Sequence, residues 1–240
     1  MLKNFIVSVL LTFVIGVLYS ASAQVWTPMP PPKIDTQNQI WRTFRMGQIG
    51  SQMAADMARS RGGNKTTVPT PKTSTYRKEF AFRRSAASPL AAKMAGPQTG
   101  DAAAMQRIID QTWEYFRTSF ADENGRLGMP FEDVASAMTY YIVGGYMYAN
   151  DIQGVPSEYS VEVYRQVASV LGKDPEFTKL TAADKQMFAE LLVVMGGMPV
   201  LAYEQRRDKR DQIAAAKANL ERIFGASAEK LKITANGIEF

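Results

Sequence analysis

The chain has 240 residues, 46% of them hydrophobic, with 28 Lys+Arg against 23 Asp+Glu, no histidine and no cysteine. The two zeros exclude disulfides, thiol nucleophiles, thiolate metal sites, Ser-His-Asp and Cys-His machinery and nearly all zinc enzymes. Chemistry is left to carboxylates, Lys, Tyr, Ser or oxygen-ligated metals.

Lys3 begins a short basic region, and Phe5 to Leu18 is an apolar run that falls short of the ~20 residues a bilayer span requires. Ala21-Ser22-Ala23 supplies the small-x-small pattern of a signal-peptidase site. Residues 1–23 are therefore expected to be a cleaved signal peptide, with Gln24 as the mature N-terminus and a periplasmic or extracellular location.

Residues 24–99 are expected to form a basic Pro/Thr/Ser-rich arm. Its first part, 24–36, is proline-rich and extended. Ile40, Phe44, Met46, Ile49, Met53 and Met57 then recur at helical steps, which predicts one amphipathic helix over about 37–61, stopped by Gly62-Gly63. Residues 62–99 have the composition of a flexible linker, although Phe80-Ala81-Phe82 and Pro89-Leu90 could pin part of it to the main domain. Residues 24–100 carry 12 Lys+Arg against 3 Asp+Glu, and residues 101–240 carry 15 against 20. A basic arm is thus joined to an acidic domain. It binds an anionic surface, or it docks on its own acidic partner.

Residues 100–240 are expected to form an all-α bundle of about five helices. The first carries Met105, Ile108, Ile109, Trp113, Phe116 and Phe120 to Asn124-Gly125, where the glycine suits a left-handed cap. The second opens at Pro130 with Glu132 and Asp133 in its first turn and stops near Asn150. The third runs from Ser157 to Gly172. The fourth starts at the capping-box-like Thr181-Ala-Ala-Asp184, and the fifth follows Asp208 to Gly225. Only Leu231-Lys-Ile233 hints at period two. Gly144-Gly145 and Gly196-Gly197 sit inside apolar helical runs at a cost of ~1 kcal/mol per glycine. They imply either close helix crossing or room for a ligand. Pro199 should kink or end its helix.

Glu190 lies in a segment apolar nearly all round, so burial is expected, and a buried carboxylate must be paired or protonated. Arg165, on the preceding helix, is the expected partner. A structural ion pair and a general acid of raised pKa are the two outcomes. Tyr140, Tyr141, Tyr146 and Tyr148 form either core packing or an aromatic binding wall.

The strings Gly128-Met-Pro-Phe-Glu-Asp133-Val-Ala-Ser-Ala-Met-Thr-Tyr-Tyr141, Val163-Tyr-Arg165-Gln166-Val-Ala and Ala183-Asp-Lys-Gln186-Met-Phe-Ala-Glu190 resemble an uncharacterised family of exported bacterial helical proteins. So does the closing Leu231-Lys-Ile-Thr-Ala-Asn-Gly237-Ile-Glu-Phe240. The likeness spans Asp122 to Phe240. Glu132 stands where the family usually has Asn, and Ile142 where it often has Trp. The resemblance implies the fold and export but no mechanism. It also implies that Asp133, Arg165, Gln186 and Glu190 form one polar cluster.

There is no P-loop, dinucleotide fingerprint, G-x-S-x-G or EF-hand loop, so no cofactor and no metal are expected. Asp122-Glu-Asn-Gly-Arg lacks calcium spacing. Arg77-Lys78 and Arg83-Arg84 resemble a nucleic-acid patch only superficially in an exported protein. The leading expectation is a non-enzymatic envelope or secreted protein that binds a protein or anionic polymer partner. One alternative is a carboxylate-based hydrolase of envelope glycan using Glu190 and Asp133, which needs two carboxyls in an open cleft. The other is peripheral membrane contact through residues 37–61.

Overall fold

A computed structural model of the chain describes residues 78–94, 99–204, 209–225 and 227–240, together with Gln52 and Ala55, both helical. The expected signal peptide, the proline-rich stretch and, apart from those two positions, the amphipathic helix lie outside the described residues. The described fold is helical. A 3-10 turn, Lys78–Phe80, leads through residues 81–88 into helix α1 (Pro89–Met94) and then α2 (Thr99–Phe116). A π-helical turn, Arg117–Ala121, and the short α3 (Asp122–Gly125) continue it. There follow α4 (Val134–Asn150), α5 (Ser157–Leu171), the short α6 (Pro175–Thr178), α7 (Ala182–Glu204) and α8 (Lys209–Phe224). The tail closes as an antiparallel hairpin, β1 (Lys232–Thr234) and β2 (Gly237–Glu239), with Ile233 opposite Ile238. No helix among the described residues is long and apolar enough to cross a membrane.

Helix α4 is central and packs on α5, α7 and α8, while α7 also packs on α2 and α1. It begins one turn later than the proline suggested. Asp133 is its N-cap, with its Oδ1 accepting the Ser136 N–H at 3.1 Å, and Pro130 to Glu132 precede the helix. A capping carboxylate satisfies a backbone donor that the helix itself cannot. The Thr181–Asp184 capping box forms as its spacing predicts. The Asp184 N–H donates to Thr181 Oγ1 at 3.1 Å, and the Thr181 hydroxyl donates to Asp184 Oδ2 at 2.6 Å. Two helix ends differ from expectation. Gly128 (φ +93), not Gly125, takes the left-handed backbone after α3. Of the two expectations at Pro199, a kink or an end, the end does not occur: helix α7 runs through it to Glu204.

The glycine pairs mark a close crossing of α4 and α7. A Cβ on Gly196 would lie 2.9 Å from the Tyr140 ring and 3.2 Å from Tyr141 Cα, and one on Gly144 would lie 3.6 Å from Gly196 O. Backbone and ring fill the space that a ligand would need. Beside this crossing lies an aromatic core of Trp113, Phe116, Phe120, Phe131 and Tyr140. Phe116 and Phe120 meet the Tyr140 ring at centroid distances of 5.1 and 5.3 Å. Phe116 ends α2 and Phe120 lies in the π turn four residues on, so the two rings share one face.

Candidate functional site

The described part of the expected linker is built into the bundle. Phe80 and Leu90 have no exposed surface, and Phe82 is buried against Trp113 at 6.0 Å. Prolines, serines and charges masked this by lowering the mean hydropathy of a stretch that still carries three large apolar anchors. Between the anchors, residues 81–88 form a strap. Ala81 bridges Asp133, and the Phe82 N–H donates to the Glu132 carbonyl at 3.0 Å.

Beneath the strap lies a polar cluster centred on Glu190 of α7, whose side chain is fully buried. Its carboxylate accepts three donors: Ser88 Oγ at 2.5 Å, Gln186 Nε2 at 2.9 Å and Arg84 Nε at 3.3 Å. Desolvating a carboxylate costs several kcal/mol, and only this density of donors and a nearby cation offsets it. Arg84 extends further. Its NH2 group meets Asp110 of α2 at 2.6 Å, and its guanidinium carbon sits 5.2 Å from the Trp113 ring centroid, a cation–π geometry. One arginine of the basic arm is thus docked on carboxylates of the acidic domain.

The strap's backbone is held by bundle side chains. The Arg84 N–H donates to Glu132 Oε1 at 3.2 Å. Gln186 Oε1 accepts the Ser85 N–H at 3.0 Å while its Nε2 donates to the Ser85 carbonyl at 3.3 Å. Gln106 Oε1 accepts the Ser88 N–H at 2.8 Å and its Nε2 donates to the Ala86 carbonyl at 3.2 Å.

The four residues expected to form one cluster separate into three places. Gln186 and Glu190 meet, one helical turn apart. Arg165 on α5 is not the partner of Glu190. It pairs with Glu162 one turn earlier on its own helix, and its Nε is buried without a hydrogen bond. The partner is Arg84, which was missed because its segment resembled a linker. The usable signal was the alternation Phe80-Ala81-Phe82-Arg83-Arg84, which places Phe80, Phe82 and Arg84 on one side.

Asp133 caps α4, and its Oδ2 is buried without a hydrogen bond. Burial pushes its carboxyl up to about 7, against the opposing pull of the Ser136 and Ala135 N–H groups and the charge of Lys185. Asp133 and Glu190 are both 0% exposed, so neither carboxyl faces an open cleft. The tyrosine wall does not assemble as an exposed face. Tyr140 and Tyr141 are buried and Tyr146 and Tyr148 half-buried. Burial raises both the Tyr140 and Tyr141 hydroxyls above the ordinary phenol range.

Among the described residues, no group of three or more acidic side chains is gathered as a metal could use it. Neither the curated proteins nor the solved structures offer a match to this chain. A family model does match, over residues 5–240, so the described fold and the strap cluster both fall inside one sequence unit. The chain belongs to the family of unknown function DUF6683.

Proposed function

We propose that the protein is an exported, non-enzymatic helical module of a bacterial envelope or secretome, and that its basic arm contacts an anionic polymer. The observation that carries this reading is the sorting of charge on the strap. Arg84 turns inward and is used by Glu190 and Asp110. Lys78, Arg83 and Lys93 are exposed and make no ion pair with a described residue. Exposed cations on an acidic domain attract a polyanion while the bundle supplies the mount. The hydrolase reading has less support, because both of its carboxyls are buried and one is fully engaged in structure.

Retention of the full chain on immobilised dextran sulfate against neutral dextran tests the proposal. The wild type should be held and released by salt. The triple variant Lys78→Glu, Arg83→Glu, Lys93→Glu should pass through. Equal behaviour on the two resins would sink the polyanion reading. For export, intact mass of the protein recovered outside the cytoplasm should begin at Gln24, and retention of residues 1–23 would overturn it.

A further inference from the structure

Residues 78–94 sit on the bundle as a bound peptide sits on a receptor. Their side chains alternate: Phe80, Phe82 and Arg84 turn in, while Glu79, Arg83 and Ser85 are exposed. Their backbone is read at Phe82, Arg84, Ser85, Ala86 and Ser88 by Glu132, Gln186 and Gln106. Main-chain hydrogen bonds give affinity and pockets for alternate side chains give specificity, which is the chemistry by which proteins capture an extended segment. Most of these polar partners are side chains projecting from α2 and α7. The receptor face is therefore a property of the bundle and does not depend on a continuous sheet.

We propose that the face formed by Asp110, Trp113, Gln186 and Glu190 is a receptor for an aromatic-x-aromatic-x-arginine segment, and that it takes residues 78–94 from a second copy of this chain. The occupant follows from what is already seated there. The contacts that seat the strap run between strap and bundle, and the others lie within residues 78–94 and travel with it, so the same set forms whether the strap arrives from its own chain or from another. The two cases differ only in effective concentration, which favours the chain's own strap when dilute and exchange when concentrated. The receptor face is separate from the polyanion surface, which uses the outward cations Lys78, Arg83 and Lys93.

The test uses the full chain and a synthetic peptide of residues 78–94. Concentrated protein, warmed to just below its melting temperature and cooled, should yield dimer by sedimentation. Excess wild-type peptide should suppress that dimer at least tenfold, and a peptide carrying Arg84→Ala should not. Full chains with a weakened strap, Arg84→Ala or the milder Ser88→Ala, should bind labelled wild-type peptide at least tenfold more tightly than the wild-type chain does. Ser88→Ala keeps both Arg84 ion pairs, so it serves even where Arg84→Ala fails to fold. Protein that stays monomeric, a dimer indifferent to peptide, or peptide binding indifferent to Arg84 would each overturn the proposal.

Discussion

Gln166 of α5 reads the backbone of Ile238 in β2 through both ends of its amide. Its Oε1 accepts the Ile238 N–H at 2.7 Å and its Nε2 faces the Ile238 carbonyl at 3.5 Å, with a further bond to the Asn236 carbonyl at 3.1 Å. Gln186 treats Ser85 in the same way at the other end of the bundle sequence. An amide side chain presents one donor and one acceptor in a plane, as a peptide group does, so each glutamine acts as a one-residue strand. Gly237 completes the tail site. Its φ of +89 suits glycine, and a Cβ there would lie 2.5 Å from Gln166 Oε1.

Replacing Gln166 with alanine should therefore cost about 1–3 kcal/mol, the penalty for leaving a partly buried backbone donor unpaired. Hydrogen exchange checks it: protection at the Ile238 amide should collapse while α4 amides lose only what global stability loses.

Arg84→Ala should be the most damaging single charge removal. It leaves Glu190 buried without its cation, a loss of about 3–5 kcal/mol. Arg165→Ala removes only a partly exposed pair within one helix and should cost less than about 1 kcal/mol. Urea titrations of the two variants decide the assignment, and equal losses would return Arg165 to the Glu190 site.

The two facing glycines should respond in opposite ways to alanine. At Gly196 the new methyl meets the Tyr140 ring at 2.9 Å, so overpacking by about 1–3 kcal/mol outweighs better helix propensity. At Gly144 the nearest atom is 3.6 Å away, an ordinary contact, and the change should be neutral or stabilising by up to about 1 kcal/mol. Melting temperatures report both.

Asp133 gives stability a pH dependence of unusual sign for a carboxylate. Its folded pKa of about 7 lies above the ordinary value of 3.8, so between these limits the folded state holds the proton more tightly. The contribution is full below about pH 4 and is lost as pH rises through about 7. At 1.36 kcal/mol per unit the loss is at most about 4 kcal/mol. Asp133→Asn keeps an oxygen for the Ser136 N–H and removes the titration. The stability of wild type relative to this variant should fall from pH 4 to pH 7, and a flat difference would show that the group does not titrate there.

Five main helices were legible because long amphipathic periods and the Thr181–Asp184 box survive without context. What was not legible depends on partners far off in sequence. The start of α4 slid to Val134 because Asp133 caps the helix from outside, which Pro130 at a first-turn position concealed. The burial of Glu190 followed from its apolar neighbours, but its partner did not. Periodicity says which face of α5 holds Arg165 and is silent on a non-helical segment passing over α7. The strap hid because composition averages over a window, whereas Phe80, Phe82 and Leu90 do their work singly.

The separation between the strap and its receptor has a consequence for synthesis. Ser85 and Gln186 are 101 residues apart. At translation rates of about 5–20 residues per second, Arg84 and Ser85 emerge roughly 5–20 seconds before Gln186 and Glu190, which hold them. Throughout that interval Arg84 lacks the buried carboxylate of Glu190, and the Ser85 backbone lacks the amide that reads it. The prolines, threonines and charges that disguise this segment as a linker would also keep it soluble during the wait.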